Sequence, residues 1–274
     1  DGQDVVYLFD SSLLTIFRWS TQDEMYLTSW SIQAPAQWMV FVEAHNRIYL
    51  GYESGKITSF DTSVTDATEI HFTTLPGKTL GLASAGDFLF AADPSGAWGS
   101  FYTFDSDGNI LSSDDWKNAE SQEYVWSSNT NRVYHYRDST SPNDIEWTAI
   151  DPIDGALGAD GDSPYHGSTL STSYPIIINP TGDVILNGAG QLVSATSLNI
   201  MNALSNDISD AVWLGDQLIT LKAKTPLLQI WSEEYELLHE TAISGSPFSL
   251  LTVADKLLSL AYSQGKVVFN HIGL

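Results

Sequence analysis

The chain has 274 residues, 43% of them hydrophobic, with 34 acidic residues against 11 basic and a formal net charge of −23. That charge repels nucleic acid and anionic membrane surfaces, so neither is expected as a partner. Cysteine is absent, which excludes disulfides, thiolate metal sites and cysteine nucleophiles, and no apolar window of 18 residues exists to insert in a membrane.

From the N-terminus onward, short β-branched and aromatic runs are bounded by Gly, Asp, Asn, Ser and Pro, the pattern of strands and tight turns. Residues 5–10, 13–20 and 26–32 read as three strands. Paired runs then recur: 38–44 with 47–52, 80–85 with 88–92, 124–128 with 132–137, 175–179 with 184–187, 211–214 with 217–221, and 249–254 with 256–262. These are the first two strands, a and b, of a repeat. Its starts at 38, 80, 124, 175, 211 and 249 are separated by 42, 44, 51, 36 and 38 residues, the period of a four-stranded propeller blade. Strand c follows at 56–61, 100–105, 145–151, 191–197, 227–232 and 266–271, and strand d closes the blade, as at 69–75 and 237–243. The first three strands align with b, c and d, and the chain ends after a, b and c. The expectation is therefore an all-β, seven-bladed β-propeller of mostly four antiparallel strands, one domain over 1–274, with incomplete first and last blades; six blades with an irregular end is the alternative. The start at Asp1 without Met suggests a mature form or a piece of a longer protein. Only 114–122 and 197–206 are candidates for helix, and either could be a strand plus a loop.

The clearest copy runs Arg47-Ile48-Tyr49-Leu50, Gly55-Lys56-Ile57 and Phe60-Asp61-Thr62. The same grammar returns as Arg132-Val133-Tyr134-His135 with Ile150-Asp151 and Asp154-Gly155, and as Gly265-Lys266-Val267-Val268. This repeat resembles those of the bacterial YVTN and quinoprotein-like propellers. The resemblance implies the fold and often an exported location (periplasm, cell surface or secreted), and it implies no reaction. The regular Trp endings of quinone-cofactor blades are missing, as are the repeated Gly-His and Trp-Asp pairs of WD-repeat propellers.

In a propeller the b–c and d–a loops share one face, where ligands usually sit. Three of them are long: 93–99, 137–144 and 160–172. Long loops on a rigid scaffold are where function concentrates. They carry the candidate ligand-binding residues Trp98, Arg137, Asp138, Asp144, Tyr165 and His166, and the candidate metal ligands Asp160 and Asp162. Trp98, between glycines, could stack on a sugar or a partner side chain. No cofactor is required by the repeat; Ca2+ is the ion an oxygen-rich loop would take. The set Asp105, Asp107 and Asn109, and the pair Asp151 and Asp154, fall in c–d turns, where such residues serve the backbone. No Gly-x-Ser-x-Gly, His-Glu-x-x-His or phosphate loop occurs. The expected function is a non-catalytic binding or scaffold propeller, monomeric, recognising a protein or carbohydrate ligand over blades three to five. The alternative is a propeller enzyme, a metal-dependent lactonase or hydrolase or a polysaccharide lyase. It requires at least three of Arg137, Asp138, Asp144, Asp160, Asp162, Tyr165 and His166 to converge on one pocket or ion.

Overall fold

The computed structural model describes residues 5–138, 140–167, 169–253 and 256–273. Among these residues the regular structure is 26 strands and one 3-10 turn, Glu43–His45. Sheet 1 holds β1 (Val5–Asp10), β2 (Thr15–Ser20) and β3 (Met25–Ser31). Sheet 2 holds β4 (Ala36–Val42), β5 (Arg47–Tyr52), β6 (Lys56–Asp61) and β7 (Ile70–Thr74); sheet 3 holds β8 (Gly81–Ala85), β9 (Phe88–Asp93), β10 (Ser100–Phe104) and β11 (Ile110–Asp114). Sheet 4 holds β12 (Tyr124–Ser127), β13 (Arg132–Tyr136), β14 (Ile145–Ile150) and β15 (Leu157–Asp162). Sheet 5 holds β16 (Ile176–Ile178), β17 (Val184–Asn187), β18 (Gln191–Ser194) and β19 (Ile200–Ala203); sheet 6 holds β20 (Ile208–Leu214), β21 (Gln217–Lys222), β22 (Leu227–Trp231) and β23 (Leu237–Ala242). Sheet 7 holds β24 (Ser246–Val253), β25 (Lys256–Ser263) and β26 (Lys266–Ile272).

Each sheet is a meander of sequential antiparallel strands, five of four strands and two of three. This is the seven-bladed β-propeller expected from the repeat, with the short blades at the two ends. The end of the last a strand, placed at 254 from the sequence, lies outside the described residues. The two helix candidates are not helical: 114–122 leaves β11 as irregular chain, and 197–206 contains β19. No helix among the described residues is long and apolar enough to cross a membrane.

The burial pattern follows from blade geometry. The b strands after the first blade are mostly buried, as in β9, where all of Phe88–Asp93 is buried, while β1 is half-buried throughout. The d strands lie at the outer edge, and β23 is exposed along its whole length. The turns are built from residues that tolerate a left-handed backbone or cap it with a side chain. Gly55 sits at φ +78°, and a Cβ there would meet Gly77 O at 2.2 Å. Asp105 Oδ1 accepts the N–H groups of Asp107 and Asn109, each at 2.9 Å, so that acidic set serves its own turn.

The chain divides into two compact units. One takes in residues up to Thr140 together with Glu146–Gly161; the other is Ser141–Ile145 with Asp162–Leu274. In the first, aromatic side chains fill the space between sheets: Trp30 stacks on Phe60 at 5.3 Å, and Tyr49, Phe72 and Phe104 meet edge-on. Such pairs add about 0.5–1.5 kcal/mol each beyond area burial. Gly81 lets the Tyr124 ring of sheet 4 lie against strand β8, where a Cβ would come within 2.1 Å of it. The second unit packs smaller aliphatic residues, Leu186, Leu192, Leu218, Ile219, Leu221, Leu228 and Leu257, with Trp231.

Candidate functional site

Within the first unit, b–c and d–a connections of sheets 2 to 4 surround a cleft of about 470 Å³, in the size range of ligand pockets. Glu53 comes from the β5–β6 corner, Lys78 and Leu80 from the connection after β7, Glu120 and Gln122 from the connection after β11, and Asp138 from the segment after β13. Trp38 forms part of the wall and packs edge-on against Tyr124 at 6.3 Å. Glu53, Glu120, Asp138 and Lys78 all line it, and Lys78 Nζ lies 3.9 Å from Glu53 Oε1. The hydroxyl of Ser121 is committed to structure: it donates to Glu123 O at 2.9 Å and accepts the Tyr136 N–H at 3.2 Å. The cleft therefore offers acceptors and an aromatic wall to a ligand.

Beside it the same unit holds a closed ionic cluster. The Lys117 side chain is only 7% exposed, and its Nζ lies 2.7 Å from Asp114 and 2.5 Å from Asp160. Burial pulls the Lys117 pKa down, but the two carboxylates outweigh it and hold the ammonium above its ordinary value. Asp160 also accepts the Thr148 hydroxyl at 2.6 Å. Arg137 donates to Glu146 at 2.9 Å, and Asn118 donates to both oxygens of that carboxylate. His135 is buried against Phe101 and Tyr124, and desolvation pushes its pKa down to about 4.

In the second unit, two short segments come together. The Ser163 N–H donates to Ile145 O at 3.1 Å, joining 141–145 to 162–166. Asp144 is fully enclosed there, at 0% exposure. Its Oδ1 accepts the Ile145 N–H at 2.8 Å and the Ser163 hydroxyl. Its Oδ2 has no hydrogen-bond partner among the described residues. His166 Nδ1 lies 3.9 Å from that oxygen and 3.6 Å from Asp162 Oδ2. One ligand atom from each of Asp144, Asp162 and His166 falls within 4.8 Å of the others, so these three could hold a metal ion.

The sequence-derived candidates thus separate. Asp144, Asp162 and His166 come together, each with one ligand atom within 4.8 Å of the others. Asp138 joins the cleft. Asp160 goes to Lys117, so it and Asp162 find different partners. Arg137 is tied to Glu146. Tyr165 Oη accepts the Ile200 N–H at 2.9 Å, a bracing contact to β19. Trp98 is 63% exposed in the β9–β10 loop and lines neither the cleft nor the acid–histidine cluster. Sequence reasoning passed over Lys117, Glu146, Ser163 and the cleft residues Glu53, Lys78 and Glu120. One signal is available: the 115–123 connection is longer than the 93–99 and 137–144 loops, and it carries one of only 11 basic residues in the chain.

No protein-family model matches the chain, and no curated protein matches it by sequence. Its fold matches solved structures. The WD40 β-propeller domain of Doa1 aligns with a TM-score of 0.65 and 11% identity over 93% of this chain and 86% of that one. A chain of the mitotic checkpoint complex aligns at 0.69 and 11% identity over 98% and 83%. The dihydro-heme d1 dehydrogenase NirN aligns at 0.65 and 10% identity over 95% of this chain and 59% of its own length. At such identities the likeness is one of fold, and the fold these comparisons share is the β-propeller.

Proposed function

We propose that this chain is a non-catalytic binding propeller whose partner docks at the cleft formed by the b–c and d–a connections of sheets 2 to 4. The observation that carries this reading is the cleft itself, lined by Glu53, Glu120, Asp138 and Lys78 with Trp38 in the wall. That lining favours a protein segment presenting Lys or Arg, whose stem lies along the indole while its charge meets the carboxylates. A glycan held by carboxylate acceptors and the indole is the other ligand class. Propellers of this fold occur in protein assemblies, the mitotic checkpoint complex among them. The repeat's resemblance to YVTN-type sequences supports an exported bacterial protein, which fractionation of its native host would test.

Arrays of Lys/Arg-rich peptides and of glycans, probed with the full chain, test the cleft. The expected result is capture on one array, lost in the Glu120→Gln/Asp138→Asn double variant and weakened by salt if the ligand is a basic peptide. Capture that the double variant leaves unchanged would overturn the proposal.

A second reading, a metal-dependent hydrolase, is favoured by the convergence of Asp144, Asp162 and His166. Against it, the cleft lining includes none of the three.

A further inference from the structure

The acid–histidine cluster of the second unit lacks the chain-borne counter-charge that Lys117 gives the acid pair of the first unit. Asp144 is an enclosed carboxylate with one oxygen satisfied twice and the other facing Asp162 and His166 without a hydrogen bond among the described residues. A buried carboxylate oxygen left in that condition is costly unless a positive group meets it. His166 Nδ1 lies 3.9 Å from it, beyond hydrogen-bonding reach. The gap has the dimensions of an ion. A tetrahedral ion with bonds of about 2.0–2.2 Å separates its ligand atoms by roughly 3.3–3.6 Å. The 3.6 Å separation falls in that range, the 3.9 Å one lies a few tenths of an ångström above it, and all three donor atoms lie within 4.8 Å of one another.

We infer that Asp144 Oδ2, Asp162 Oδ2 and His166 Nδ1 form a binding site for a divalent ion of the zinc class. The donor set decides the class. Two carboxylates alone would suit Ca2+ or Mg2+, whereas an imidazole nitrogen among them selects Zn2+, Co2+ and similar ions. Three protein ligands leave a fourth position for water. Ser163 is the positioning residue: its hydroxyl and the Ile145 N–H hold Asp144 Oδ1, which turns Oδ2 toward the other two ligands. Gly167 closes the turn that carries His166, since a Cβ there would meet Pro142 Cβ at 2.7 Å. The net charge of −23 draws cations to the surface as a whole, so affinity must be assigned to these residues by substitution.

The ion site is independent of the cleft, and its test reads metal binding alone. The full chain, stripped by chelator, is titrated calorimetrically with Zn2+, Co2+, Ca2+ and Mg2+, and Co2+ binding is followed by visible absorption. The expected result is saturable 1:1 binding of Zn2+ and Co2+, with Ca2+ weaker by about tenfold or more. His166→Ala and Asp162→Asn, both exposed and compatible with folding, should each lower Zn2+ affinity by about tenfold or more, and His166→Ala should alter the Co2+ spectrum. Asp160→Asn should change neither. Absence of saturable binding would overturn the inference. So would Zn2+ binding that His166→Ala leaves intact, the mark of an adventitious ion only, or Ca2+ binding tighter than Zn2+.

Discussion

Two acid pairs in this protein are resolved in opposite ways. In the first unit, Asp114 and Asp160 converge on Lys117, and an ammonium 93% covered by protein closes the cluster at 2.7 and 2.5 Å. In the second, Asp144 and Asp162 converge on His166, whose side chain is 64% exposed and stops at 3.9 and 3.6 Å. One cluster carries its cation on the chain; the other leaves a buried oxygen facing the space between donors. The contrast teaches that an acid cluster is informative only through its counter-charge. A neighbouring lysine makes it an internal brace, while an incomplete counter-charge leaves room for an ion from solution.

The largest effect expected around these clusters belongs to His135, which feels Asp160 and Lys117 from within the sheet 3–sheet 4 core. Its folded-state pKa of about 4 lies below the ordinary 6.5, so between those values the unfolded chain takes up a proton that the folded chain refuses. Its contribution is complete above about pH 6.5 and is lost as pH falls toward 4, by up to about 3 kcal/mol. Urea unfolding of wild type and His135→Phe across pH 4–7 should show the wild type losing more stability than the variant. Parallel curves would mean that the histidine titrates freely.

Lys117→Met comes next. It strands Asp114 and Asp160 beside a buried methionine and should lower stability by about 2 kcal/mol, less than a fully buried pair because both carboxylates are half exposed. Urea midpoints check it, and an unchanged midpoint would remove the distinction between the two clusters. Ser163→Ala takes one hydrogen bond from Asp144 Oδ1 and should cost about 1 kcal/mol of stability while also weakening Zn2+ binding, because only the Ile145 N–H then orients the carboxylate. The smallest effect is that of His166→Ala on the metal-free protein, within about 0.5 kcal/mol by thermal melting, as befits an exposed residue. A larger loss would show that the imidazole itself closes the cluster.

Much of the fold is legible in the sequence because strand alternation and turn chemistry are local. Arg47–Tyr52 and Lys56–Asp61 are both strands at the positions the repeat assigns, and the turn glycine between them, Gly55, sits at the positive φ its place requires. Boundaries shifted where tertiary contacts extend a strand. β20 begins at Ile208, before the expected 211, and its neighbour Asp210 accepts the Leu250 N–H of β24 at 2.7 Å, a link 40 residues away. Strand β15 runs to Asp162, so the loop expected from 160 starts later and Asp160 lies on a strand. The candidate site was legible as a set of loop residues: Asp144, Asp162 and His166 were each marked by lying in or beside long connections. Their grouping was not, and neither was the separation of Asp160 from Asp162.

The sequence by itself determined the period, the all-β pattern, the short first and last blades and the polar turns, because each depends on residues within one hairpin of each other. Which carboxylate meets which cation depends on how distant segments fold together. Asp160 and Asp162 are two positions apart, yet one takes a lysine 43 residues earlier in the chain while the other faces a histidine four residues on. Electrostatic pairing falls off within a few ångströms of contact, and the contacts at such range are set by loops that distant segments bring together.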